Sequence, residues 1–189
     1  MNNFSVPGTV LNAPPSAAKE PFCVIAPILE ITGGLTLSQL CDMTGLEAST
    51  IHNWIKRGWV AKPVGKRYTE TQTARIMIIN MLRDALQMEQ IAQLMSWVNG
   101  SSVEDRNDDI LPDRELYNIL CSIIADVSSD SHSELSDSLI EPYTTKFSEE
   151  NAKILKSALL VMSNAYLSGL LKRCAQKEYE ELSKKCNNY

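Results

Sequence analysis

Residues 36–58 read TLSQLCDMTGLEASTIHNWIKRG. This stretch predicts two short helices joined by a tight turn. Thr36 and Gln39 have the spacing of a capping box, which gives the first helix a defined start. Leu37, Leu40 and Cys41 recur at helical spacing and supply its inward face. Gly45 falls where the chain must bend sharply and adopt positive φ, which a side chain would oppose. Leu46, Ile51, Trp54 and Ile55 form the inward face of the second helix, and Arg57-Gly58 close it with a cation and a glycine. Between them Ser49, His52, Asn53 and Lys56 are spaced i, i+3, i+4, i+7 and share one polar face. A short helix with a polar outer stripe, set on a helical hairpin, is a device for reading the major groove of DNA. An ordinary αα-hairpin inside a helical core has the same inner pattern, and its polar stripe is then only a solvated face.

The next residues favour the DNA reading. Residues 58–68, GWVAKPVGKRY, carry Pro63 and Gly65 as turn formers together with Lys62, Lys66 and Arg67. They read as a small wing whose basic tip, with Tyr68, would lie against phosphates. From Lys56 to Arg75 there are six basic residues and one acid, Glu70. The expected DNA-contacting set is therefore Ser49, Thr50, His52, Asn53, Lys56, Arg57, Lys62, Lys66, Arg67 and Tyr68. Asn53 is the candidate for a bidentate base contact, most naturally to adenine. His52 suits a phosphate equally well, and Thr50 and Arg57 assist from the rim.

These residues carry a resemblance. LSQLCDMTGLEASTIHNWIKRGWV is similar to the opening motif of the MerR superfamily of bacterial regulators, and GKRYTETQTARIMIINMLRDALQMEQIAQLM to its wing exit and following two helices. That superfamily usually has Arg and Tyr where this chain has His52 and Trp54, and a longer wing. The run WIKRGWVAKPVGKRYTETQTARIMIINMLRDAL resembles more closely an uncharacterised bacterial family, the domain of unknown function 1836. The resemblance implies an all-α protein with a MerR-like winged helix-turn-helix and a small cytoplasmic DNA-binding regulator. It supplies neither ligand nor operator.

The rest of the chain bounds the reading. Its 189 residues carry a net charge of −5, unevenly spread. Residues 36–100 hold seven Lys/Arg and five Asp/Glu, +2; residues 101–189 hold ten and sixteen, −6. A polyanion responds to the local field, so the acidic half should be held away from DNA. The five cysteines, Cys23, Cys41, Cys121, Cys174 and Cys186, show no C-x-x-C pair, and buried free thiols are expected for most of them, in a reducing compartment. With His52 and His132 as the two histidines, no metal site and no cofactor are expected. His132 sits in SSDSHSELSDS, where a Ser/His/Asp list reads as a solvated loop and not as a triad, so the chain is not expected to be an enzyme.

The expected organisation has four parts. Residues 1–35 form a flexible arm, to about Pro21, followed by an apolar packing segment with Ile25, Ile28, Leu29 and Ile31. Residues 36–100 are the winged helix-turn-helix. They include a helix from the Thr69/Gln72 capping box to about Leu86, apolar on nearly every side, and another from Met88 to Val98. Residues 101–112 are a Ser- and Asp-rich linker. Residues 113–189 are a helical dimerisation or effector region, with a helix over 113–127, a segment broken at Pro142 and a long helix from the Ser148 cap to about Lys185. In that last helix Leu155, Leu159, Met162, Tyr166 and Leu170 step by four and three, a narrow packing seam. The seam serves either a bundle within one chain or a homodimer. Lys156, Ser157, Ser163, Asn164 and Ser168 interrupt residues 154–171 and argue against a membrane span. Tyr143 and Tyr166 are packing residues or line a pocket for a small-molecule effector.

Two functional readings follow. The first is a dimeric, sequence-specific DNA-binding transcriptional regulator that reads an inverted repeat in double-stranded DNA. The alternative is a protein-interaction adapter on a winged-helix scaffold without DNA binding, motivated by the acidic total charge and by Glu47 at the start of the second helix.

Overall fold

The structure is a computed structural model describing residues 4–99, 110–129, 135 and 137–186. His132 and most of the expected linker, residues 101–109, lie outside the described residues. The chain is mostly helical, 71% helix with two short strands, as the all-α expectation requires. The helices, in chain order, are α1 (Ala26–Thr32), α2 (Leu37–Thr44), α3 (Ala48–Lys56), α4 (Glu70–Leu82), α5 (Met88–Asn99), α6 (Asp113–Ser129), α7 (Asp137–Thr144) and α8 (Glu149–Cys186).

Local chemistry sets most boundaries. Both expected capping boxes form: the Gln39 N–H bonds Thr36 Oγ1 and the Gln72 N–H bonds Thr69 Oγ1, while each glutamine side chain accepts from the cap N–H. Gly45 ends α2 with φ 69°, in the left-handed region. α4 stops at Leu82, four residues before the expected Leu86, because the chain turns there to enter α5; the Ala85 and Leu86 N–H groups both bond the Leu82 carbonyl. Pro142 lies inside α7 and does not break it, since the helix ends two residues later at Thr144.

α4 is the axis of the fold. Ten of its thirteen residues are buried, among them Ile76, Met77, Ile78, Ile79 and Leu82. It packs on α2, α5, α6 and α8. Arg75 on α4 and Asp113 at the start of α6 form a buried ion pair at 3.2 Å, with side chains 9% and 5% exposed. The core therefore runs on without a break from the N-terminal half into the C-terminal helices. The described end of the expected linker, residues 110–112, adjoins this core. Leu111, assigned to the linker, is 1% exposed; its carbonyl accepts from Asn99 Nδ2 and its N–H bonds the Val98 carbonyl.

The residues expected as an arm include a hairpin. β1 (Phe4–Ser5) pairs antiparallel with β2 (Asn12–Ala13), and short 3-10 turns follow at Pro15–Ala17 and Pro21–Val24. The hairpin is held by the rest of the molecule. Tyr117 Oη donates to the Pro7 carbonyl at 2.8 Å, Asn80 Nδ2 donates to the carbonyls of Gly8 and Thr44, and the Val10 N–H bonds the Met43 carbonyl. A Cβ at Gly8 would lie 2.4 Å from the Met77 carbonyl oxygen, so a bare backbone is needed there.

The seam residues of α8 pack within the chain. Leu155, Leu159 and Met162 are fully buried and Tyr166 is 9% exposed, against a bundle of α4, α5, α6 and α7. By length and composition α8 passes for a membrane span, yet 44% of its apolar window is buried inside the protein.

Candidate nucleic-acid interface

α2 and α3 meet through their apolar faces. Leu40 and Ile51 are fully buried, with Leu46 and Trp54 at 4% exposure and Thr44 Oγ1 closing the turn on the Leu40 carbonyl. That packing fixes the roll of α3 about its axis. Ser49, His52, Asn53 and Lys56 are consequently all exposed on one outer face, with Thr50 half-buried at the rim. Nothing from the described later helices covers this face. Arg57 follows at the C-cap, where its guanidinium lies 5.2 Å from the centroid of Trp59 and 3.5 Å from Glu89. Both members of that ion pair are more than 60% exposed, so water screens it and it holds Arg57 weakly. Glu47, the α3 N-cap, is exposed and makes no side-chain cap bond.

The expected wing is reduced to a tight hairpin. Val64 and Arg67 exchange both backbone hydrogen bonds, at 3.0 and 2.9 Å, around Gly65 and Lys66. Those two residues have φ of 56° and 63°, the positive pair that a type I′ turn needs. Lys66 is the one non-glycine residue with positive φ among the described residues, and the turn lifts its ammonium into solvent. Leu35 pairs with Tyr68 through two further bonds, at 2.9 and 2.7 Å, so the hairpin is anchored to the strand that leads into α2. Gln72 Nε2 holds the loop below it by donating to the carbonyls of Ala61 and Lys62. Sequence reasoning gave Gln72 only its cap role; its second contact is long-range and leaves no local signal.

The structure thus brings Ser49, His52, Asn53, Lys56, Arg57, Lys62 and Lys66 to the surface and separates two members of the expected set. Tyr68 is 2% exposed, and burial pushes its phenol upward in pKa. It is a core residue and no phosphate contact, because along the strand the side chains alternate and Tyr68 points inward. Arg67 is half-buried, and its Nη1 donates to the Gly34 carbonyl at 2.9 Å. Its guanidinium is committed first to the fold.

The cysteines have no reactive setting on this surface. Cys41, under α3, has its thiol pKa raised by burial and by Asp42 and Glu47, and Cys121 is raised further by complete burial. Among the described residues no three His, Cys, Asp or Glu side chains are placed to share a metal ion.

Away from α3, a groove of about 830 Å³ opens between residues 19–20, α4, α6 and α7, with Tyr143 on its wall. Tyr143 Oη bonds Ser122 Oγ at 2.8 Å. The cations of the groove are ion-paired: Lys19 with Asp126, Arg114 with Glu70 and Lys146 with Glu115. Tyr166 is packed on the buried face of α8, where burial raises its pKa.

Comparison with known proteins adds a family match over less than half of the chain and no activity. Residues 31–120 match the model of a family described as a domain of unknown function, DUF1836. The match starts in α1, takes in the helical hairpin, the wing and the core helix α4, and ends within α6. It crosses the expected linker in sequence. An uncharacterised protein of Bacillus subtilis (strain 168), YkrK, is 26% identical over 124 residues, 64% of this chain. The chain spans about half the length of that relative, 51%. No solved structure matches.

Proposed function

We propose that this protein is a sequence-specific transcriptional regulator that binds double-stranded DNA through a MerR-like winged helix-turn-helix. The observation that carries the reading is the outer face of α3. Four polar side chains at i, i+3, i+4, i+7 stand clear of the fold, and the hairpin that follows in the chain carries exposed Lys66. α3 enters the major groove, Asn53 and Ser49 meet base edges, and Lys56, His52 and Arg57 meet the flanking phosphates. Lys62 and Lys66 hold the backbone from the wing. Two copies, joined through their C-terminal helices, read an inverted repeat with half-sites spaced by whole helical turns. The protein acts in the cytoplasm, with no membrane and no cofactor involved.

Fluorescence anisotropy against random duplex at low salt tests the reading. Binding that weakens linearly in log salt is the expected result. No binding at micromolar protein overturns it. The adapter reading then stands, supported by exposed Glu47, by the Glu89 carboxylate beside Arg57 and by the net charge of −5.

A further inference from the structure

The tip of the hairpin of residues 4–13 is wedged between two parts of the molecule. On one side lies the turn between α2 and α3. The Val10 N–H bonds the Met43 carbonyl at 2.9 Å, and a Cβ at Gly45 would stand 2.9 Å from Val10 Cγ1. On the other side lies the body built on α4 and α6. Tyr117 Oη donates to the Pro7 carbonyl at 2.8 Å, and Gly8 sits against α4 with no room for a side chain beside the Met77 carbonyl. Asn80 joins the two sides: its Nδ2 donates to the Gly8 carbonyl at 2.9 Å and to the Thr44 carbonyl at 3.0 Å. Both acceptors are carbonyls, so the position needs a nitrogen with two hydrogens.

The tip also holds its own shape. The Val6 N–H bonds the Leu11 carbonyl, and Thr9 Oγ1 donates to the Val6 carbonyl while accepting from the Leu11 N–H. Val6 and Tyr117 are fully buried. A closed loop with a buried anchor transmits position, as a slack tail does not. α2 is consequently held at both ends. The Leu35–Tyr68 bridge ties its start to the hairpin that carries Lys66, and the tip ties its end to α4 and α6.

We propose that residues 4–13 act as a strap that sets the angle of the α2–α3 unit on the α4–α6 body, with Asn80 and Tyr117 as positioning residues. The consequence for binding rests on the DNA reading above; the contact itself does not. A helix in the major groove and a wing on the flanking phosphates engage one duplex together only while the angle between them is kept. With the strap released, α2 and α3 are still tied at the Leu35–Tyr68 bridge and swing about it. Phosphate contacts tolerate such a swing, because charge acts over distance. Base contacts do not, because a bidentate hydrogen bond needs both its atoms in place.

The test uses the full chain. With Cys23, Cys41, Cys174 and Cys186 replaced by Ala and buried Cys121 kept, spin labels on Ser49→Cys in α3 and Ser157→Cys in α8 read the angle without DNA. The strapped protein should give one narrow separation. Gly8→Ala drives the tip off α4, and should broaden and shift that separation by several ångströms. Tyr117→Phe removes one hydroxyl and keeps the ring, and should do the same to a smaller extent; it stands in if Gly8→Ala fails to fold. A separation unchanged in the folded variants overturns the strap. In the unlabelled protein with its native cysteines, under conditions where each variant is folded, Gly8→Ala should lower the preference for a duplex selected from a random pool over random duplex about tenfold, the worth of one base contact out of register. Affinity for random duplex should stay at the parent value. An equal fall for both duplexes, or an unchanged preference, overturns the positioning role. Absence of binding by the parent to any duplex overturns the DNA reading instead, and the label separation still decides whether the strap holds α2 and α3.

Discussion

α3 and α4 are neighbours in the chain and use their surfaces in opposite ways. α3 buries Ile51 and Trp54 and leaves Ser49, His52, Asn53 and Lys56 to solvent. α4 keeps no solvent face of that kind; even Gln72, Thr73 and Arg75 are buried. A helix closed on all sides is committed to the fold, and a helix with one open polar face beside cations is left to meet something else. Substitutions in α4 and its partners should therefore register as lost stability. Substitutions on the outer face of α3 should register as altered binding and leave stability alone.

The largest effect is expected at the Arg75–Asp113 pair. Asp113→Ala leaves a guanidinium buried and unpaired, and should cost about 3–5 kcal/mol in urea unfolding. The double change Arg75→Met with Asp113→Leu should recover most of that loss, because an apolar pair of similar size leaves no charge to desolvate. A loss under about 1 kcal/mol for Asp113→Ala means that water reaches α4, and the contrast with α3 collapses.

Next comes Asn53→Ala. It should reduce discrimination at one base pair by about 1–3 kcal/mol in competition binding against singly substituted operators. Its unfolding midpoint should stay within about 0.5 kcal/mol of the parent. Unchanged selectivity removes Asn53 from the base-reading set.

The smallest effect is expected at the wing. Lys66→Ala should weaken binding to all sequences alike and make the slope of log affinity against log salt shallower by about 1. Both residues carry a Cβ at the same positive φ, so backbone strain is matched and the charge is what the comparison reads. Arg67 is a poorer probe, since its loss also removes the bond to the Gly34 carbonyl. An unchanged slope takes the hairpin out of the interface.

Where local rules govern, the sequence was legible. Two capping boxes, the Gly45 turn and the Ser148 cap stand where spacing and residue type put them, and the polar face of α3 follows from the periodicity of Ile51 and Trp54. Illegible features depend on distant partners. Two-residue strands carry no period, so the hairpin of residues 4–13 gives no signal beyond the Pro7-Gly8 turn. Its anchors, Asn80 and Tyr117, lie far along the chain. Tyr68 was misplaced because a basic run dominates its neighbourhood, whereas its strand partner Leu35 lies thirty-three residues earlier. The α8 seam was visible as a repeat, but which face meets the chain's own core is decided by α4, α5 and α6, which no window within α8 contains.

The buried charge pair also has a mechanical meaning. Arg75 lies on α4 just past the strand that carries Tyr68, and Asp113 opens α6. With Tyr68 bridged to Leu35 and the Lys66 turn closed by the Val64–Arg67 bonds, the ion pair ties α6 to the helix that leaves this hairpin. On the proposed DNA-binding function, α6 and the helix behind the Lys66 turn are expected to move as one body, as a key turns with its bow.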